Sequence, residues 1–226
     1  MVLKTNITIT PPSYKAWLSA TALSCSFALL VLLPFWLLPK GLYWLLALLL
    51  LLPLIPAFES LLLTPLYRLS GRFVYYSKTL FVTRFGSGLQ LHAGTLYDYM
   101  RLLRRHEYGP KAQRKLTVQL LQGLLAICDD IDDGKFKDDT PISATSYFFS
   151  DRSAAKLGFI SASVEPIERL NLLLSSISLA IRLSISKGRL SWPNVKHIRH
   201  IHTTAGKLVE QRATIVRLLQ YLNSKH

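Results

Sequence analysis

An unusually acidic stretch is the part of this sequence that points most directly to chemistry. Residues 129–139 read DDIDDGKFKDD, with six aspartates in eleven positions. Clustered carboxylates repel one another, so we expect a positive group beside them. The candidates are the protein's own Lys and Arg side chains, a divalent cation such as Mg²⁺, and a basic partner. An EF-hand loop is excluded, because aligning Gly134 with the invariant glycine of that loop puts Ile131 at a ligand position.

Three of these aspartates, Asp129, Asp130 and Asp133, form a D-D-x-x-D pattern after the apolar run 124–127. The pattern resembles the first aspartate-rich motif of the prenyl diphosphate synthases, where carboxylates hold Mg²⁺ against a diphosphate. The resemblance implies a Mg²⁺ site and an enzyme that acts on a phosphorylated lipid or lipid diphosphate. The resemblance is limited to this motif. The sequence contains no second D-D-x-x-D, and its strand-like stretches do not fit the all-helical fold of the prenyl diphosphate synthases. A solvated acidic loop that balances a basic surface is the alternative interpretation.

A second group of polar residues, 92–99, reads HAGTLYDY and combines side chains common in active sites. His92 and Asp98 are candidate catalytic residues on that ground. Local structure offers another role, because Thr95 and Asp98 have the three-residue spacing of a helix capping box. A helix is therefore predicted over 96–106. The glycine and proline that follow it, Gly109 and Pro110, are the expected stop signals.

The C-terminal part holds most of the remaining histidines. Residues 196–202 read KHIRHIH, and on a helix His197 and His200 would share one face at a spacing compatible with two metal ligands. The neighbouring Lys196 and Arg199 would repel a bound cation, so we expect a basic, titratable surface instead of a metal site. His200 is a further candidate for proton transfer. The residues expected to contact a partner or an anionic surface are Arg68, Arg72, Lys196, Arg199 and Lys207.

Other catalytic classes lack their motifs. No P-loop or dinucleotide-binding pattern includes Gly86-Ser87-Gly88, and no G-x-S-x-G frame surrounds Ser143, Thr145 or Ser146. Two cysteines exclude a disulfide framework and a four-thiolate zinc site. Because no catalytic constellation is complete, we expect a non-enzymatic protein without a cofactor, and Mg²⁺ is the alternative.

Two long apolar runs precede these residues and should anchor the chain in a membrane. Residues 17–38 carry no charge and residues 42–63 carry only Glu59. Each run has the length of about 20 residues that crosses a bilayer. A signal peptide is disfavoured, because no small-residue cleavage site separates the runs. Basic residues flank the outer ends, so both termini should be cytoplasmic in a two-span protein of the plasma membrane or bacterial inner membrane.

The hairpin sets the predicted domain boundaries. A cytoplasmic segment covers 1–16, the helical hairpin 17–66, and a basic domain 67–226. The formal net charge of +14 is concentrated in the last part, which holds 24 basic and 12 acidic side chains. This imbalance favours contact with anionic lipid headgroups or an acidic partner.

Periodicity predicts an α+β fold for the basic domain. Strands are expected at 72–85, 89–92, 142–149 and 159–163. Helices are expected at 96–106, 111–128, 165–187 and 207–222, with a short helix at 151–157. The result is a small, mainly antiparallel sheet with about four helices.

Three functions fit these features. The first is a membrane-anchored accessory, assembly or defence/immunity protein that presents its charged domain to a protein partner or to another copy of itself. The second is the Mg²⁺-dependent lipid enzyme. The third is a membrane-tethered nucleic-acid-binding protein, although the basic C-terminal region has only Trp192 and Tyr221 for base stacking. We expect the first.

Overall fold

The computed structural model describes residues 60, 63–64, 67–68, 71, 73–103, 107–146, 151–164, 170, 172–173, 175–194 and 198–224. These residues form an α+β fold with six strands and six helices. The predicted membrane spans lie outside the described residues, apart from Ser60 and Leu63. Within the described part, no helix combines the length and the apolar character needed to cross a bilayer.

The strands form one mixed sheet. They are β1 (Val74–Tyr75), β2 (Leu80–Phe85), β3 (Gly88–Ala93), β4 (Pro141–Ser146), β5 (Ile160–Ala162) and β6 (Arg199–Thr204). The spatial order is β1-β2-β3-β4-β6-β5. All neighbouring pairs are antiparallel except β3 and β4, which run parallel. The sheet is therefore mainly antiparallel, as predicted, but it is mixed, because the long connection from β3 to β4 contains helices and brings the chain back in the same direction.

The helices of the described part are α1 (Leu96–Leu102), α2 (Pro110–Asp132), α3 (Asp151–Ala155), α4 (Ser176–Lys187), α5 (Ala205–Glu210) and α6 (Arg212–Ser224). The prediction of about four helices was too low. The single helix expected at 207–222 is two helices that meet at Gln211. Helix α2 runs past the predicted end at 128, because its stop signal is Gly134, with φ of 76°. Three aspartates of the acidic stretch are therefore helical.

One face of the sheet packs against α2, α5 and α6 to form the main core. Helix α2 contributes buried residues spaced three or four apart, as expected for an amphipathic helix. Gly123 lets this helix approach β2, since a Cβ there would lie 2.6 Å from Leu80 Cδ2. The buried α2 side chains of this core are Leu121, Leu124, Ile127, Cys128 and Ile131.

The histidine-bearing segment, for which no strand was predicted, forms the strand β6. It pairs with β4 on one side and β5 on the other. Ile201 and Thr203 are buried, whereas His200 and His202 alternate with them on the opposite face. The helix that would bring His197 and His200 onto one face is therefore absent at residues 199–204, and His197 itself lies outside the described residues.

Candidate functional site

The acidic stretch meets an arginine from the C-terminal helix. Arg212, the first residue of α6, donates from Nη1 to Asp129 Oδ1 at 2.7 Å and from Nη2 to Asp132 Oδ2 at 2.5 Å. Burial lowers the pKa of Arg212, but the two carboxylates raise it and the net shift is upward. The positive group expected beside the acidic stretch is thus, for these two aspartates, the protein's own arginine.

This contact also joins the ends of two helix dipoles. Helices α2 and α6 are antiparallel neighbours, so the C-terminus of α2 lies beside the N-terminus of α6. Carboxylates are unfavourable at their own helix C-terminus, and an arginine is unfavourable at its own helix N-terminus. The aspartates of α2 interact favourably with the N-terminus of α6, and Arg212 of α6 interacts favourably with the C-terminus of α2. The crossed arrangement explains how α2 tolerates an acidic last turn.

Asp130 is engaged by two other side chains. The Tyr76 hydroxyl donates to Asp130 Oδ2 at 2.8 Å, and Lys135 Nζ donates to Oδ1 at 2.5 Å. Burial and this carboxylate raise the pKa of Tyr76. Asp133 caps α2, and its backbone N–H donates to the Asp129 carbonyl. Among the residues the structure describes, no three His, Cys, Asp or Glu side chains are grouped to hold a metal ion.

Asp98 has the contacts of a helix cap. Its Oδ2 accepts hydrogen bonds from the Thr95 N–H at 2.8 Å, the Thr95 hydroxyl at 2.9 Å and the Tyr75 hydroxyl at 2.9 Å. The predicted capping box is confirmed. Burial raises the pKa of Asp98, and these hydrogen bonds partly offset the rise. The residue is 3% exposed, so the carboxylate is closed to solvent.

His92 is packed as a neutral side chain on the sheet face opposite α2. Its ring stacks on Phe81 with centroids 5.0 Å apart, and Nε2 lies 2.8 Å from Thr83 Oγ1. Burial lowers the pKa of His92 to about 4. These contacts give His92 a packing role in the sheet. None of them is with Asp98 or with the acidic stretch.

The basic residues predicted to form a contact surface lie on separate elements. The Arg68 guanidinium lies 4.8 Å from the ring centre of Tyr75. Arg199 Nε lies 3.4 Å from Asp151 Oδ1 at one end of β6. Lys207 is exposed on α5. The members outside the described residues are Arg72 and Lys196.

A surface that sequence reasoning missed lies between α4 and β6, at residues 187–192. Leu190 is 94% exposed and Trp192 is 65% exposed. The flanking Lys187 and Arg189 are exposed as well. The available signal was a helix-stop glycine, Gly188, followed within four residues by a leucine and a tryptophan. This 187–192 segment combines large apolar side chains with positive charge.

The backbone of the 187–192 segment is held in place. Gly188 has φ of 67°, and a Cβ there would lie 2.9 Å from the Gly109 Cα, so this position requires glycine. Further along, the Ser191 N–H donates to Ser184 Oγ at 2.9 Å. The two apolar side chains are therefore displayed by an ordered backbone.

Comparison with known proteins assigns no family to this site. The chain matches no known protein-family model, and neither a curated protein nor a solved structure matches it. The candidate sites rest on the chemistry and geometry of this chain alone.

Proposed function

We propose that this protein is a membrane-anchored, non-enzymatic docking protein. In this proposal the hairpin at 17–66 holds the basic α+β domain at the plasma membrane or bacterial inner membrane, with both termini in the cytoplasm. The domain serves as an accessory, assembly or defence/immunity component by binding a protein partner. The observation that carries the proposal is the exposure of Leu190 and Trp192 on the 187–192 segment.

The chemistry of this segment supports a protein as the ligand. Exposed apolar patches with a polar rim are typical of interaction sites. Tryptophan is also enriched among the residues that dominate binding free energy at protein interfaces. Because the Ser191 backbone is already held by Ser184, the backbone at this position loses less conformational entropy when a partner binds.

The charges beside these apolar residues favour an acidic partner. Lys187 and Arg189 flank Leu190, and neither forms an ion pair with a described carboxylate. Complementary charge at an interface speeds association and orients the partner. The excess of basic over acidic side chains in residues 67–226 also favours an acidic partner.

The contacts of the residues first considered for chemistry favour a non-enzymatic role. Asp129 and Asp130 are engaged by Arg212, Tyr76 and Lys135. The carboxylate of Asp98 caps a helix. Such contacts stabilise the fold, and they leave the Mg²⁺-dependent lipid enzyme without a supporting arrangement in the described part.

Co-purification from native membranes tests the proposal. The full chain is extracted in mild detergent, and bound proteins are quantified for wild type and for the double variant Leu190→Ser, Trp192→Ala. We expect partner recovery to fall about ten-fold or more, because two apolar anchors are removed. The matched control is Ile160→Ser, which removes a 52% exposed apolar side chain from β5 and should leave recovery unchanged.

Two results would contradict the docking function. One is the absence of any protein partner or second copy in the wild-type preparation. The other is an equal loss of recovery in the Leu190/Trp192 and Ile160 variants. A charge-reversal variant, Lys187→Glu with Arg189→Glu, provides a separate test, since an acidic partner should be repelled by it.

A further inference from the structure

A cavity of about 430 Å³ lies between the sheet and the helices α2 and α6. Its floor includes Leu80, Leu91, Ala144 and Ile201, which come from four neighbouring strands. Ala144 pairs with Leu91 on one side and Ile201 on the other. Its small side chain leaves space beneath the helices. Cavities of about 300–1,000 Å³ are the usual size of small-molecule sites.

The cavity is long and has mostly apolar walls. Its lining on α2 extends from Gln113 to Leu124, a rise of about 16 Å. Across the sheet, four strands at their usual spacing extend about 14 Å. The volume is toward the lower end of the range for ligand sites, so the space suits one extended chain better than a two-chain lipid.

A buried hydroxyl group lines this apolar space. Ser186 on α4 is 1% exposed, and its Oγ has no hydrogen-bond partner in the part of the chain that the structure describes. Buried polar groups in native proteins are almost always paired, because an unpaired one loses its hydration without compensation. An oxygen atom on a bound ligand would accept the missing hydrogen bond.

One charged side chain borders the opening. Lys156 is the single charged residue among the described residues that line the cavity, and it is exposed. It forms no ion pair with a described carboxylate. Exposed Gln113 and Tyr221 also line the opening. The polar rim therefore favours a ligand whose one charged group is an anion.

We propose that this cavity binds a long-chain carboxylic acid that carries a second oxygen on its chain. The carboxylate lies near Lys156 at the opening, the chain occupies the space over Ala144, and the second oxygen accepts a hydrogen bond from Ser186 Oγ. The proposal is independent of the protein-docking function, because the cavity and the 187–192 segment share no residue.

Photo-crosslinking in native membranes tests this site. Cells that express the full chain are treated with a diazirine analogue of palmitic acid and irradiated, and the adducts are mapped by peptide mass spectrometry. We expect adducts on the cavity-lining parts of α2 and α6. Ala144→Leu, which fills the cavity, should reduce them about ten-fold or more. The control Ala213→Leu, at an exposed position of α6, should not.

Competition between the probe and unlabelled ligands tests the ligand chemistry without filling the cavity. Unlabelled stearic acid should displace the probe better than its uncharged methyl ester, and Lys156→Gln should remove this difference. In a series of hydroxystearic acids with the hydroxyl at different carbons, at least one isomer should compete about three-fold better than stearic acid. That advantage should disappear in Ser186→Ala.

Three outcomes would overturn the proposal. Adducts confined to residues 17–63 would mean that the probe reports only membrane partition. No adducts in α2 or α6, or adducts unaffected by Ala144→Leu in a variant that melts like wild type, would mean that the cavity takes no acyl chain. Equal competition by the acid, its ester and every hydroxylated isomer would exclude the assigned roles of Lys156 and Ser186.

Discussion

The end of α2 and the 187–192 segment use charged side chains in opposite ways. At the end of α2, Arg212 closes on Asp129 and Asp132, and each charge complements the dipole of the other helix. In the 187–192 segment, Lys187 and Arg189 extend into solvent without a described acidic partner. The first arrangement joins two helices of one domain, and the second leaves its charge exposed to solvent.

This contrast separates side chains that stabilise the fold from side chains available for binding. Groups of the first kind, which include His92, should affect the free energy of unfolding when they are changed. Groups of the second kind should affect partner recovery and leave unfolding unchanged. Substitutions at matched pairs of the same residue type, one engaged and one exposed, therefore test this distinction.

Acid should produce the largest difference between an engaged and an exposed side chain. His92 has a pKa of about 4, against the ordinary 6.5, so its protonation favours the unfolded chain. Its contribution is complete above pH 6.5 and is lost as the pH falls through 4, a change of about 3 kcal/mol. Urea unfolding at both ends of this window should show a smaller pH dependence for His92→Gln. His202→Gln, at an exposed position, should behave like wild type.

The contact between α2 and α6 should give the next largest effect. Arg212→Ala leaves two carboxylates at the C-terminus of α2 without their partner, and should lower the free energy of unfolding by about 1.5 kcal/mol, because both ion pairs are partly exposed to solvent. The same substitution at Arg189 should leave it unchanged. Urea unfolding followed by circular dichroism measures both variants. Equal effects of the two substitutions would remove the distinction between the two regions.

A smaller effect is expected where one hydroxyl is removed. Tyr76→Phe deletes the hydrogen bond to Asp130 and should cost about 1 kcal/mol. Tyr108→Phe is the control, because that tyrosine is 49% exposed. The same unfolding measurement applies. No difference between the two variants would mean that water replaces the Tyr76 hydroxyl at no cost.

Much of the fold could be predicted from local signals. The capping box at Thr95 and Asp98 and the stop at Gly188 depend on residues close together in the chain, so the sequence contains both partners of each interaction. The strand β6 was missed because its alternation is short and its inward face combines Arg199 with Ile201 and Thr203, so that a single large apolar residue marks it. Only the pairing with β4 and β5 makes the burial of Ile201 favourable.

The candidate site was harder to predict than the fold. The acidic stretch was evident, but its partner Arg212 is 83 residues from Asp129 along the chain. Helix and strand periodicity relate only residues that are close in the sequence, so they could not predict this contact. The exposure of Leu190 and Trp192 depends on which elements fail to cover them, and composition does not contain that information. Sequence reasoning therefore identified charged residues without separating the engaged ones from the free ones.

Photo-crosslinking at a single position tests whether the 187–192 segment docks a protein. A benzophenone amino acid is placed at Trp192 or, as a control, at Ile160, and native membranes carrying the full chain are irradiated. The docking account predicts a discrete protein adduct from position 192 and none from position 160. Adducts of equal yield from both positions, or only lipid adducts from position 192, would contradict it.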